Sequence, residues 1–508
     1  MSTSATQLHE EEVMTGDKEL PEGWVTAALG QVAFARLGKT PRRADYRNEG
    51  NHRIVKFRDL TARGLDYSAT KAAFVADTPS ALKHLQRLAI GDVLVTASAH
   101  SGDQIGKKRS FVDRVPQEPT DIYFVGELLG ITADRRIMNS KWPYYWFSSE
   151  AGIDAIQDAV FGVHLTSGRA QSMPVPLAPK MEQDRIVSAV DQLWKNLYRT
   201  QDRLAKISDT LKRFRKTVLA AACKGELTED WRNTHRSSSF DHDSRHILDA
   251  DESFHPLSDL PDTWSWSTLG ECAIVQRGRF SVRPRNNPAY YGGKYPFVQI
   301  GDLPPNGGEL SEFDQSLNER GLAVSKLFPR GTVLIAIVGA TIGNTGVLGF
   351  DSCCPDSLVA VRGRSDAHSR FLEYYLRLRK LGIRNESYAS GGQPNINLQT
   401  LLPYPVPHPP PGEVDAIVQK AQELFKLADA IEKRVAAASI RAERLTQAIL
   451  AKAFRGELVP TEAELARREG REYEPARVLL ERIKAERAAA GQKPKRSSER
   501  TVRTRKLS

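Results

Sequence analysis

The sequence predicts an α+β protein in which one unit is written twice. Two mixed α/β domains related by a pseudo-two-fold axis are separated by two long helices paired as an antiparallel coiled coil. Three observations carry this reading: motifs that recur in order at a spacing of about 230–240 residues, two long stretches whose apolar residues step by 4 and 3, and short β-like runs ahead of each stretch. With 508 residues the chain is also too long for one core.

The repeat is read from landmarks. "LPEGW" (Leu20–Trp24) returns as "LPDTW" (Leu260–Trp264), and "VKFRDL" (Val55–Leu60) as "VQIGDL" (Val298–Leu303). "GDVLVTASAHSGDQIG" (Gly91–Gly106) matches "GTVLIAIVGATIGNTG" (Gly331–Gly346). "VPLAPKMEQDRIV" (Val175–Val187) matches "VPHPPPGEVDAIV" (Val406–Val418), and "KGEL" (Lys224–Leu227) matches "RGEL" (Arg455–Leu458), both at an offset of 231.

In chain order, residues 1–19 form an acidic tail expected to be disordered, and 20–180 the first α/β domain. Its strands are "HRIVKF", "DVLVTA" and "IYFVGE"; the second domain, 260–411, answers with "YPFVQI", "TVLIAIV" and "SLVAVRG". The aromatic runs "WPYYWF" and "FLEYYLRL" occupy matching places with helical flanks and are expected in the cores. Pro174, Pro176 and Pro179 end the first sheet domain, since proline cannot donate within a ladder. Pro179 in the first copy and Pro410–Pro411 in the second then open a helix, with Glu182 and Glu413 near its first turn to complement the dipole.

The long helices are placed at 181–228 and 412–456. The first seam includes Leu193, Leu197, Leu204, Ile207, Leu211 and Phe214, with only Thr200 polar; the second includes Leu424, Ile431, Val435, Leu445 and Ile449. Bulky residues in one seam face alanines in the other (421, 428, 438, 442), which favours pairing of these two helices with each other. From Ile186 to Ala221 the seam spans ~54 Å at ~1.5 Å per residue, about 16 base pairs at ~3.4 Å each if the ligand is DNA.

Residues 229–259, rich in Ser, Asp and His, read as a linker. Its His235, His242, His246 and His255 lack metal-ligand spacing. Residues 457–490 form a C-terminal extension with a helix, and 491–508 a basic tail expected to be disordered.

The charge excess, 72 − 62 = +10, favours a polyanionic partner. Cys223, Cys272, Cys353 and Cys354 form no C-x-x-C pair, which is reduced, cytosolic usage without a disulfide or metal framework. The N-terminus lacks a signal-peptide pattern, and the longest apolar run, Val333–Ala340, is far short of a membrane span. A cytoplasmic location and no membrane partner are expected.

Taken in order, these motifs resemble the specificity subunit of type I restriction–modification enzymes. The likeness runs from Leu20 to about Leu458 and rests on "LPEGW"/"LPDTW", "YYGGKYPFVQIGDL", "GATIGNTG", "SGGQPNINLQ", the proline-to-helix junctions and "KGEL"/"RGEL"; "EPARVLLERIKAERAA" is similar to the family's C-terminal segment. The first copy departs from the pattern where "GVHLTSGRAQSMPVP" (Gly162–Pro176) replaces the fuller "GGQPNINL" form. The resemblance implies two target recognition domains that read an asymmetric bipartite site in double-stranded DNA. It also implies helices that set the half-site spacing and hold two methyltransferase subunits, and motor–nuclease subunits joining the complex. S-adenosylmethionine, ATP and Mg2+ would then be bound by partner subunits, with no cofactor, metal or catalytic residue in this chain. Two alternatives stay open: a methylation-only complex, and a non-catalytic coiled-coil scaffold or regulator.

Base edges are read by Arg, Lys, Asn and Gln. "ARLGKTPRR" and "QRGRFSVRPRNN" concentrate such residues after the first strand of each domain. They give Arg36, Lys39, Arg42 and Arg43, and Arg277, Arg279, Arg283 and Arg285, as candidate DNA contacts. Gln104, Lys107 and Lys108 join them from the "GDQIGKKR" loop and Asn344 from its twin; Gln393, Asn395 and Asn397 are read as DNA contacts or as turn caps. Enzyme motifs fail on spacing. "GDQIGKK" has three residues between its glycines where a phosphate loop has four, and Lys108 stands where Ser or Thr should bind magnesium. "NPAY" (Asn287–Tyr290) lacks the second proline of an adenine-methyltransferase motif, and "PDSLVAVRGR" lacks the Glu-x-Lys of a nuclease.

Overall fold

A computed structural model describes residues 20–68, 72–116, 121–235, 260–389 and 396–491. The expected tails at 1–19 and from 492 on, and linker residues 236–259, lie outside the described residues. The chain divides into a first unit, residues 1–202 with 439–508, and a second, residues 203–438. Each long helix therefore serves both units: of Lys180–Cys223 the part to Asp202 belongs to the first, and of Pro411–Phe454 the part to Ala438 belongs to the second.

The two units repeat one topology. In the first, a four-stranded antiparallel sheet runs Arg109–Phe111, Asp92–Thr96, Leu128–Ala133, Ala33–Leu37. In the second, Thr345–Leu348, Val333–Ala336, Leu358–Gly363 and Ala273–Arg277 follow the same order, with Glu309–Leu310 added parallel to the outer strand. A further sheet packs beside each, five-stranded in the first unit and four-stranded in the second. At the base of each unit a two-stranded sheet joins its entry to its exit: Val25–Ala28 with Pro174–Leu177, and Ser265–Thr268 with Pro405–His408. Two of the prolines expected to end the sheet, Pro174 and Pro176, are thus themselves in a strand, tolerated because a two-stranded ribbon leaves one edge unladdered, and Pro179 stands just ahead of the helix. The aromatic runs are core, as expected: Trp142, Tyr145, Phe147, Phe371 and Tyr375 are buried.

Each core draws on both copies. Ile186, Val187, Val190 and Trp194 from the start of the first helix share the first unit's core with Ile449, Leu450, Ala453 and Phe454 from the end of the second. Val218, Leu219, Ala222 and Cys223 share the second unit's core with Val414, Ile417, Val418 and Ala421. Three seam residues require correction: Leu193 (38% exposed), Ile207 (39%) and Leu445 (50%) face outward. In the first helix the buried row advances from Val190 to Trp194, one residue past the 4–3 stepping, and half-buried Gln201 and Ser208 continue it. A straight helix at 3.6 residues per turn drifts off a 3.5 repeat, and the larger indole takes the inward place.

The landmark motifs interlock. Glu182 and Glu413, third residues of their helices, do more than offset a dipole: both carboxylates are wholly buried. Trp24 Nε1 donates to Glu182 Oε1 (2.9 Å) and the Glu462 amide to Glu182 Oε2 (2.8 Å). Trp264 Nε1 donates to Glu413 Oε2 (2.8 Å), Thr228 Oγ1 donates to Glu413 Oε1 (2.7 Å), and Arg232 forms an ion pair with the same carboxylate. Burial raises the Glu182 pKa against these hydrogen bonds. Arg232 lies in a helix, Glu229–Thr234, so the first residues of the expected linker belong to the second unit's fold.

The glycines of "KGEL" and "RGEL" end the long helices with left-handed backbones, Gly225 at φ +74° and Gly456 at φ +69°. A Cβ on Gly225 would lie 2.7 Å from Pro261, and one on Gly456 would lie 2.6 Å from Pro21. Each copy's "LP" start therefore packs on the other copy's helix end. Gly456→Ala pairs left-handed strain of about 1–2 kcal/mol with a displaced Pro21. Thermal denaturation is expected to show a first-unit transition lowered by several degrees, and an unchanged transition would contradict this packing.

The C-terminal extension completes the first unit through helices Glu462–Glu469 and Ala476–Gly491. Ala476, Leu479, Leu480 and Ile483 enter its core, and Arg487 ion-pairs with Asp134 (2.6 Å). Among the described residues no helix is long and apolar enough to cross a membrane.

Candidate nucleic-acid interface

Strand alternation gathers the predicted loops. In the first unit's four-stranded sheet, the end of Ala33–Leu37, the start of Leu128–Ala133, the end of Asp92–Thr96 and the start of Arg109–Phe111 lie at one sheet end. Backbone hydrogen bonds tie their loops together: Lys39 N to Phe124 O (3.1 Å), Ala97 N to Glu127 O (2.8 Å) and Leu165 N to Ala97 O (2.8 Å). The second unit does the same: Arg279 N to Cys354 O (3.0 Å), Ile337 N to Ser357 O (3.2 Å) and Ile396 N to Ile337 O (2.9 Å). Leu165 and Ile396 are 231 residues apart, so the registers match.

The candidate side chains separate into free and committed groups. Lys39, Arg42 and Arg43 are exposed on the 38–45 loop, without side-chain partners among the described residues. Arg36 is withdrawn as a contact. Its guanidinium bonds to buried Asp92 (2.8 Å), Thr132 Oγ1 (2.6 Å) and the Arg87 carbonyl (3.0 Å), neutralising an acid that the sheet has taken out of water. Gln104 and Lys107 both serve Asp103 (2.7 and 2.9 Å), whose pKa is pulled down to about 2 by the Ser101 hydroxyl and then by Lys107. Lys108 lies 4.2 Å over the Phe57 ring. Lys107 and Lys108 also border a cleft of about 900 Å³ lined by Tyr198, Arg444 and Gln447.

The second unit's arginines are more committed. Arg277 Nε donates to the Asp356 carbonyl (2.6 Å), and Arg279 donates to the Ser325 carbonyl (2.7 Å from Nη2). Arg283 holds Phe280 O (2.9 Å) and Val282 O (2.8 Å), and both Arg283 and Arg285 pair with the Asp356 carboxylate. Asp356, which sequence reasoning passed over, organises this loop. Arg285 borders a cleft of about 830 Å³ whose lining includes Asn286, Tyr291, Gln299 and Gln315. Asn344 is half-buried in the loop that closes the hairpin, its carbonyl accepting from Ala336 N (2.9 Å). Asn397 is a helix cap, Oδ1 accepting from Thr400 N (2.9 Å). Gln393 and Asn395 lie outside the described residues.

At the first unit's sheet end sequence reasoning also missed Phe161. It is 72% exposed, with the Arg169 guanidinium 5.0 Å from its ring. Neighbouring His164 meets Ser98 Oγ at 3.0 Å. The available signal was the departure of "GVHLTSGRAQ" from the second copy.

Residues 261–438 match the family described as type I restriction modification DNA specificity domain. The EcoDI type I restriction enzyme specificity subunit of Escherichia coli is 30% identical over 339 residues, 65% of this chain and 72% of that protein. The chain belongs to the family of type I restriction enzyme specificity subunits. The EcoKI specificity subunit of Escherichia coli extends the likeness to 94% of this chain and 98% of its own length, at 27% identity. The fold agrees with a solved chain from work on complex assembly and conformational transition of the type I R-M system: TM-score 0.62 at 21% identity, covering 87% of this chain and all of that one. Specificity subunits are the non-catalytic, DNA-recognising components of type I restriction–modification systems and assemble with their other subunits. For this specificity subunit the enzyme motifs rejected on spacing are therefore chance resemblances.

Proposed function

We propose that this specificity subunit reads a bipartite, asymmetric site in double-stranded DNA, one half-site per unit. The observation that carries the reading is the repeated sheet end: the same four-strand order gathers a loop cluster rich in Arg, Lys, Asn and Gln twice, with different residues each time. The first unit offers Lys39, Arg42 and Arg43, exposed and without side-chain partners among the described residues, and Phe161 exposed at the same sheet end. The second offers Arg277, Arg279, Arg283 and Arg285 around Asp356, with Asn344 and the glutamine-lined cleft. Free cations suit phosphate, whereas arginines and amides fixed in place suit base edges. Unlike clusters should read unlike half-sites.

The long helices pair antiparallel in this reading, set the spacing of the half-sites and carry two methyltransferase subunits. Motor–nuclease subunits join the complex, and S-adenosylmethionine, ATP and Mg2+ bind to the partners. Leu193, Ile207, Leu427, Ile440 and Leu445 stand outward on the helices, and in this reading they offer the apolar surface on which partner subunits dock. The test is a hydroxyl-radical footprint of the assembled complex. Two protected tracts flanking an open gap are expected; one continuous tract, or none, sinks the reading.

Asp356 supplies a second check. Asp356→Asn removes the carboxylate that neutralises Arg283 and Arg285. Affinity for DNA of any sequence is expected to rise several-fold at low salt, and the dependence of log K on log salt to steepen by about 1 for each arginine that gains a phosphate. Anisotropy titrations across a salt series check this, and an unchanged slope would contradict a phosphate within reach of Arg283 and Arg285.

A further inference from the structure

Cys272, His368 and His408 meet in the second unit, and no reading of the DNA interface uses them. Cys272 ends the short helix Leu269–Cys272, His368 lies in the first turn of Asp366–Leu378, and His408 ends the strand Pro405–His408. One ligand-capable atom of each lies within 4.8 Å of the other two, the sole such group of three among the described residues. Cys272 and His368 are buried and His408 is half-buried. Cys272 Sγ donates to Thr268 O (3.0 Å), and His368 Nδ1 accepts from Arg364 N (3.2 Å). His368 Nε2 and His408 Nδ1 are buried without a hydrogen-bond partner. Native cores rarely leave such atoms unpaired, and two side by side ask for an explanation.

The repeat supplies a control. Position 272 corresponds to Val32 (offset 240), 368 to Met138 (230) and 408 to Leu177 (231). Those three residues are wholly buried in the first unit's core. The fold therefore packs these positions with apolar side chains in one copy, and nothing in its architecture demands polar ones in the other. All three change together, to a thiol and two imidazoles, which is the donor set that zinc takes.

We propose that the second unit binds one divalent transition-metal ion, zinc by its donor set, through Cys272, His368 and His408. Tetrahedral zinc sets its ligand atoms roughly 3.3–3.8 Å apart, so closure from within 4.8 Å needs only small side-chain movement. Binding releases the Cys272 thiol proton and its bond to Thr268. If His368 ligates through Nε2, its ring proton sits on Nδ1 and the long Arg364 contact is given up. The exposed Arg364 side chain keeps its charge in water. A water completes the coordination, as at other sites with three protein ligands. The ion ties the strand leading into the second long helix to the helix Asp366–Leu378 and so stiffens the base of this unit.

The test uses the full chain, stripped with a chelator and titrated with Co2+ and then Zn2+. The comparison is the triple variant Cys272→Val, His368→Met, His408→Leu, which installs the residues that the first unit already packs. The wild type is expected to bind one more Co2+ than the variant, with a thiolate-to-cobalt charge-transfer band in the near ultraviolet. One Zn2+ should displace it and raise the melting temperature. Metal held by His235, His242, His246 or His255 appears in both proteins and carries no thiolate band. Should the triple variant fold poorly, Cys272→Ser alone must abolish the band. A wild type without the band, a band that survives Cys272→Ser, or equal stoichiometry in wild type and a folded triple variant overturns the proposal.

Discussion

Glu413→Ala is expected to lower the melting temperature of the second unit by on the order of 10 °C. The carboxylate is wholly buried and serves three donors at once: Trp264 Nε1, Thr228 Oγ1 and Arg232. Truncating it strands the Arg232 guanidinium, only 17% exposed, and leaves a buried indole N–H without an acceptor. Breaking a buried pair in this way costs about 3–5 kcal/mol, and about 2–4 °C follows each kcal/mol in a domain of this size. The residues joined are a helix-start Glu and an "LPDTW" Trp from the second copy with Thr228 and Arg232, which follow "KGEL" in the first. The loss therefore tests whether each unit is assembled from both copies. Calorimetry of the full chain, in which the two units need not melt together, reads it out. A melting temperature within 2 °C of wild type would contradict the interlock.

Replacing Lys39, Arg42 and Arg43 together with alanine is expected to weaken DNA binding on the order of a hundredfold at low salt while leaving the fold intact. The three side chains are exposed and have no side-chain partner among the described residues, so their removal strands no buried group there. If each contacts a phosphate, the slope of log K against log salt falls by about 2.7 in magnitude, from ~0.9 per contact. The loss should be uniform across DNA sequences, because phosphate contacts position a reader without specifying bases. Arg36→Ala should behave differently, with reduced stability because buried Asp92 loses its counter-charge, and little change in salt slope once folded. An unchanged slope in the triple variant would place the 38–45 loop off the DNA.

What could be read from the chain beforehand follows from where each signal is written. The repeat, the long helices and the sheet strands are local patterns, and the helix bounds differ from expectation by only a few residues at each end. The seam went astray by one residue at Trp194, because apolar stepping cannot tell a 3.5 repeat from a helix that drifts. Pairings between distant residues left no local trace. Arg36 reads as a DNA contact until Asp92 is placed beside it, and Glu182 as a dipole acid until Trp24 and Glu462 are. Cys272, His368 and His408 lack motif spacing because three separate segments deliver them. Phe161 immediately precedes the stretch, Gly162–Pro176, that departs between copies, yet its exposure depends on the sheet end that presents it.

DNA methylation mapped across the host genome by single-molecule sequencing, with and without this chain, addresses the two-reader arrangement most directly. Methylated bases are predicted in a motif of two unlike half-sites separated by a fixed gap of unread bases, and the whole motif should vanish when the chain is deleted. A methylation pattern unchanged by the deletion, or a chain-dependent motif that is continuous or made of two identical halves, would contradict it.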